Sequence, residues 1–239
     1  KYHSPVSYDF WTVIRAMIVE PVRRLWRLPD HGIWEVRDEP RHYCYSKVMC
    51  WVALDRAVRL ALKHSLPGPV EEWRRDRDAV MEELMERGWS AKVGAFVQHY
   101  ESSELDAANL IMPLVLFISP ADPRFLATMR RTLLPPERGG LTVNHLVFRH
   151  QRGAAVPDEG TFTMCAFWLV EAMARAGRHD PELFRRGIEM FEDLLGYGNH
   201  VGLYSEGVDL AGRATGNFPQ AFTHFSLISA AFCLDRIMQ

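Results

Sequence analysis

No stretch of the 239 residues is apolar for long enough to cross a membrane as a helix. Charge of either sign is not in excess: the net value of −2 leaves no basic stripe, which excludes nucleic acid or an anionic membrane as the main partner. Cysteine is sparse. Cys44, Cys50, Cys165 and Cys233 form no CxxC pair and no zinc spacing, and they stand among apolar neighbours. Buried free thiols in a cytoplasmic protein are the expectation. No glycine-rich phosphate loop and no nucleophile elbow is present. The ten histidines do not cluster at ligand spacing, and His145 and His150, five apart, are a weak signal. No organic cofactor and no catalytic metal is therefore expected. No internal repeat of about 34 or 40 residues occurs, which excludes a TPR or HEAT array. No low-complexity run or linker divides the chain. The start, Lys1-Tyr2-His3-Ser4-Pro5, carries neither a signal-peptide core nor an initiator Met, so an excised piece of a longer chain is expected.

What remains is helical pattern. Hydrophobic residues make up 48%, enough for a large core. Over 8–27, Phe10, Val13, Ile14, Met17, Ile18 and Val22 fall on one side. Over 44–64, Val48, Trp51, Val52, Val58 and Leu62 recur at helical spacing. The segment 69–87 is charged on one side, with Val70, Trp73, Val80 and Leu84 on the other. Residues 106–117 and 161–176 are mostly apolar, as inner helices are. Residues 123–133, 181–195 and 219–238 complete eight predicted helices, with Pro181 and Pro219 in first turns and Asn217 as a candidate cap. Strand signals are limited to 95–98 and 146–149. Alternating apolar and charged helices predict helical hairpins in two layers.

Two carboxylates stand out on connections. Glu35 lies in Asp30-His31-Gly32-Ile33-Trp34-Glu35-Val36-Arg37. Glu206 lies in Gly202-Leu203-Tyr204-Ser205-Glu206, followed by Gly216-Asn217-Phe218-Pro219-Gln220-Ala221-Phe222-Thr223-His224. Such a pair suits carbohydrate hydrolysis, one carboxyl as acid and the other as base. Locally, each is equally a solvated turn glutamate. An acid must hold its proton, which needs burial or a neighbouring negative charge, whereas a base must stay ionised. Tyr204 and Ser205 are candidates to orient the attacking water. Trp34 and Phe222 are candidate stacking faces for sugar. Glu159 is a further polar candidate, and His42 and Lys47 are close enough in sequence to stand behind the acid.

The two runs resemble glycoside hydrolase family 15, which includes glucoamylases, glucodextranases and bacterial trehalase-like enzymes. The likeness extends through Arg41-His42-Tyr43, Ser46 to Arg56, Glu104 to Ala108, Asp122-Pro123-Arg124 and Glu159 to Phe162. In that family the Gly-Ile-Trp-Glu run carries the general acid and the Ser-Glu run the general base, which implies Glu35 and Glu206. Arg149 stands where relatives have a Tyr-Arg pair that contacts substrate. Asp38 stands where relatives usually have Gly, and Gly207 where many have a second acid. The resemblance implies an all-α (α/α)6 toroid of twelve helices. About eight are present, so residues 1–239 are expected to be the C-terminal part of the catalytic domain and to need the missing N-terminal helices. The implied function is inverting hydrolysis of a terminal α-glucosidic bond in an oligosaccharide or disaccharide. The alternatives are a related disaccharide phosphorylase, against which Glu206 argues, and a non-enzymatic glycan-binding remnant. Maltooligosaccharide, isomaltose-type linkages, trehalose and oligomeric state stay open.

Overall fold

A computed structural model describes residues 6–151 and 160–239. Contacts divide them into two compact units. The first runs to Gly88 and includes His99–Glu101; the second comprises Trp89–Gln98 and Ser102–Gln239. Both are dominated by α-helices, with seven strands of two residues each among the described residues.

The first unit holds α1 (Tyr8–Ile14), α2 (Glu20–Leu25), α3 (Cys44–His64) and α4 (Val70–Arg87). Ser7 caps α1 by accepting the Phe10 N–H. Between α1 and α2, Arg15–Val19 form a π-helical turn. Pro21 accounts for it: it cannot donate to Met17 O, and its ring crowds that carbonyl. The preceding turn is wider, with the Glu20 N–H donating to Arg15 O. Trp11 is fully buried, edge-on to Trp73 at 5.8 Å, and its indole N–H donates to Pro67 O. Helix α3 buries Val48, Trp51, Leu54 and Val58; α4 buries Trp73, Val80 and Leu84. These are the predicted faces, except that Leu62 is exposed. The apolar side of 8–25 is a clear reversal. Phe10, Val13, Met17 and Ile18 are exposed, whereas Trp11 and Val19 face inward.

The second unit is built around α6 (Thr163–Ala176), in which every residue except Trp168 and Arg175 is buried. Helices α7 (Pro181–Leu195) and α8 (Ala221–Met238) pack against it. Helix α5 (Pro123–Thr132) and α7 start alike: Asp122 and Asp180 cap them, each followed by Pro. Strands β1 (Trp89–Ser90) and β2 (Ala95–Phe96) form a hairpin, as do β3 (Thr142–Val143) and β4 (Leu146–Val147). Strands β5 (Thr161–Phe162), β6 (Gly207–Val208) and β7 (Ala214–Thr215) form one antiparallel sheet.

Two expected elements differ. Residues 106–117 are not an α-helix: Ala107–Ile111 form a single 3-10 turn, with Asp106 Oδ1 accepting the Ala108 N–H. Pro113 has no N–H for Asn109 O, and Leu116 takes a left-handed φ of 67°. The segment is still core, with Leu110, Met112 and Phe117 buried. Helix α8 begins at Ala221, not Pro219, and Asn217 is not its cap. The backbone through the cis Phe218–Pro219 bond stays extended at Gln220.

Candidate active site

Glu35 lies in the first unit and Glu206 in the second. The Glu35 half is a loop whose ends meet. Asp30 and Arg41 exchange backbone hydrogen bonds of 2.9 and 2.8 Å. Inside it the Glu35 N–H donates to Gly32 O and the Val36 N–H to His31 O. Gly32 is in the left-handed region and lies flat on Tyr43, where a Cβ would stand 2.9 Å from the ring. Glu35 itself has φ 49°, a conformation that costs a non-glycine residue about 1–2 kcal/mol. Two residues of this turn are thus left-handed, Gly32 and the carboxylate-bearing Glu35. Asp38 is not left-handed, and the departure from the usual Gly there needs no strain. Glu35 is exposed and Trp34 half-buried. The burial expected of an acid is not supplied by this unit.

The Glu206 half is tightly organised. Strand β6 starts one residue later, and the Glu206 backbone pairs on both sides: its N–H donates to Asn217 O, and its C=O accepts from the Thr163 N–H. The carboxylate is gripped at both oxygens. Oε2 accepts the Asn217 N–H at 3.0 Å, and Oε1 accepts from Gln220 Nε2 at 2.9 Å. Gln220 is oriented by Thr223, whose buried hydroxyl donates to Gln220 Oε1 and lies 3.1 Å from Ser205 O. Gly216 covers the carboxylate from behind: a Cβ there would collide with Glu206 Oε2. Gly207 has a packing reason as well. A Cβ at that position would stand 2.5 Å from Thr161 O and 2.7 Å from Thr215 Oγ1, so a second acid has no room in the centre of this sheet.

Tyr204 and Ser205 commit their hydroxyl protons to backbone carbonyls. The Tyr204 hydroxyl donates to Leu195 O, and Ser205 Oγ donates to Gly207 O; both side chains are buried. Burial also pushes the Tyr204 phenol above its ordinary value. The Tyr204 N–H donates to His224 Nε2, so Nδ1 carries the proton and donates to Gln220 O at 2.6 Å. His224 thereby holds the backbone of the residue that grips the carboxylate. Arg149 lies over the Phe162 ring at 4.4 Å, and Phe162 pairs with Gly207 next to Glu206. The sheet therefore links Arg149 to Glu206. Phe222, on the first turn of α8, is 66% exposed and free to present its face. Glu159 lies outside the described residues. His42 stacks on Tyr100 at 5.5 Å. His145 pairs with Asp193 and His150 bridges to Asp106, in separate places. Among the described residues, no group of three His, Cys, Asp or Glu could hold a metal ion, and the four cysteines form no disulfide. No helix among them is long and apolar enough to cross a membrane. Sequence reasoning assigned no role to Gln220, Thr223 or Gly216. The signal was present in the Gly216–Thr223 run, but not the contacts that give it meaning.

The sequence profile of glycosyl hydrolases family 15 matches residues 1–232. The chain belongs to glycosyl hydrolases family 15. Among the relatives of this family 15 chain, a trehalase of Mycobacterium tuberculosis is 38% identical over 231 residues, 96% of this chain and 33% of the relative. A trehalase of Thermoplasma volcanium is 35% identical over 235 residues, 98% of this chain and 36% of the relative. The chain thus spans about a third of the length of these curated relatives. The glucoamylase of Saccharomycopsis fibuligera superposes with a TM-score of 0.78 at 13% identity, covering 96% of this chain and 62% of that one. A bacterial glucoamylase complexed with acarbose gives 0.72 at 13% identity, covering 97% and 38%. At such identity the likeness concerns the fold, which is the all-α toroid class of this family.

Proposed function

We propose that this chain is the C-terminal part of a family 15 catalytic domain that hydrolyses a terminal α-glucosidic bond with inversion, and that trehalose is the substrate. The observation that carries the reading is the grip on Glu206. A carboxylate that accepts at one oxygen from a backbone N–H and at the other from a side-chain amide is held in one orientation, as a general base requires. Glu206 removes a proton from water, which attacks the anomeric carbon from the face opposite the leaving sugar. Glu35 gives its proton to the glycosidic oxygen as that C–O bond breaks. Inversion needs the two carboxyl groups roughly 6.5–9.5 Å apart, with the water between base and sugar. Arg149 and Phe222 are the proposed sugar contacts on the base side and Trp34 on the acid side; Glu159 remains a candidate on sequence grounds. Trehalose is preferred over maltooligosaccharide because the matched relatives at 35–38% identity are trehalases.

The exposure of Glu35 and the unpartnered apolar side of α1 support a second part of the reading. Further helices of the same domain enclose the acid and complete the substrate pocket. The test is proton NMR of the longer protein acting on trehalose. Inversion releases one β-glucose and one α-glucose at first turnover. Glu35→Gln and Glu206→Gln should each lower kcat about 10³-fold or more. Release of α-glucose alone, or full activity in either variant, would reject the assignment, and no turnover of trehalose by the longer protein would favour a non-enzymatic remnant.

A further inference from the structure

Glu35 has no side-chain partner among the described residues, so its position rests on how its loop is attached. The loop and the segment leading into it meet α3 at three places on the helix's entry and first turn. Tyr43 lies beneath Gly32. Ser46 Oγ donates to Asp30 Oδ1 at 2.7 Å, the same oxygen that accepts the Gly32 N–H at 2.6 Å. Lys47 is 1% exposed, and its ammonium donates to Trp26 O at 2.5 Å and Leu28 O at 2.9 Å.

The last of these is chemically unusual. A buried ammonium is costly, and burial pushes the Lys47 pKa down. Asp30, Glu83, Cys50, Arg87 and His42 are titratable neighbours within electrostatic reach. A plain packing role would be filled by an apolar side chain. Here the acceptors are carbonyls at and just beyond the C-terminus of α2, where no helical N–H reaches them and the helix dipole is negative. Only a long cationic donor satisfies two such carbonyls from inside a core.

We propose that Lys47 is a positioning residue for Glu35, fixing the start of the acid's loop through the carbonyls of Trp26 and Leu28. Ser46 continues the same restraint through Asp30 to Gly32, three residues before the acid. The inference rests on the assignment of Glu35 as the acid.

The test compares two substrates in the longer protein. Trehalose needs a proton on its leaving oxygen; α-glucosyl fluoride departs as fluoride and needs none. The ratio of kcat/KM for the two is independent of how much of a sample is folded. Glu35→Gln should lose about 10³-fold or more on trehalose and less than about 10-fold on the fluoride. Lys47→Met should lose about 10²-fold on trehalose with the fluoride rate nearly kept, because a shift of about 1 Å in the acid costs that much. Ser46→Ala, a milder change, should move the ratio in the same direction by a few-fold, and Lys47→Arg should restore part of it. An unchanged ratio in Lys47→Met and Ser46→Ala, with Glu35→Gln behaving as expected, would overturn the positioning role alone. Equal losses on both substrates in Glu35→Gln would overturn the acid assignment, and the inference with it.

Discussion

At the scale of the residue, the two glutamates are held by opposite means. Glu206 is fixed through its own oxygens, Glu35 only through its backbone. Two predictions follow from that contrast. Gly216→Ala adds a Cβ that collides with Glu206 Oε2 at a left-handed position, φ 71°. The backbone cost is about 1–2 kcal/mol. The displaced carboxylate should lower kcat about 10²-fold with little change in KM, read by steady-state kinetics. Glu35→Gly should abolish activity yet melt no lower than the parent, because glycine relieves the strain at φ 49° and this offsets its greater unfolded-state entropy. A drop in Tm of several degrees in Glu35→Gly would mean that the carboxylate has a structural partner.

At the scale of the element, polar side chains tie helices to their neighbours. Glu171 in α6 is buried, bonded to Arg175 Nε and Nη2 and to Ser229 Oγ of α8. Glu171→Ala should cost about 1–2 kcal/mol in urea unfolding, since Arg175 and Ser229 lose their acceptor but are open enough to turn to water. His42 links the start of α3 to the His99–Glu101 segment: its C=O accepts the Tyr100 N–H, and its ring stacks on Tyr100. Desolvation lowers its pKa, helped by the positive charges of Lys47 and Arg87, while Glu83 and Asp30 oppose the shift. The unfolded chain therefore binds the proton more readily. Stability is independent of this group above about pH 6.5 and falls as pH drops from there through the lowered folded value. His42→Phe keeps the stack and removes the proton. Its urea midpoint should change less between pH 7.5 and pH 5 than that of the parent. An identical acid limb would show that His42 titrates alike in both states.

At the scale of the whole molecule, apolar surface is the main anomaly. Phe10, Val13 and Met17 on α1 and its π turn, and Phe222, Phe225, Ile228 and Phe232 on α8, are all exposed. Each such side chain left in water forgoes roughly 1.5–3 kcal/mol of burial. Contiguous faces of this kind exceed what soluble monomers usually show. The 239-residue chain alone should therefore run as oligomers in light-scattering chromatography and turn over trehalose poorly. Co-expression with the preceding part of the domain should give a monodisperse, active complex. A monomeric, cooperatively unfolding and fully active 239-residue protein would reject the proposed need for further helices.

The sequence by itself determined the helical class, the family, and the ends of the best-marked helices. Cys44–His64, Val70–Arg87 and Pro181–Leu195 were legible because apolar spacing and a first-turn Pro act within one or two turns. The Glu35 and Glu206 runs were legible as motifs for the same reason. Tertiary structure decided the rest. It turned the apolar side of α1 outward, kept 106–117 out of a helix, and committed the Tyr204 and Ser205 hydroxyl protons to carbonyls. It also brought Gln220 to Glu206 and Thr161 to Val208, pairs separated by 14 and 47 residues. Propensity and periodicity are short-range. Which distant donor reaches a given carbonyl or carboxylate depends on how the chain closes, and that is set only when the core packs.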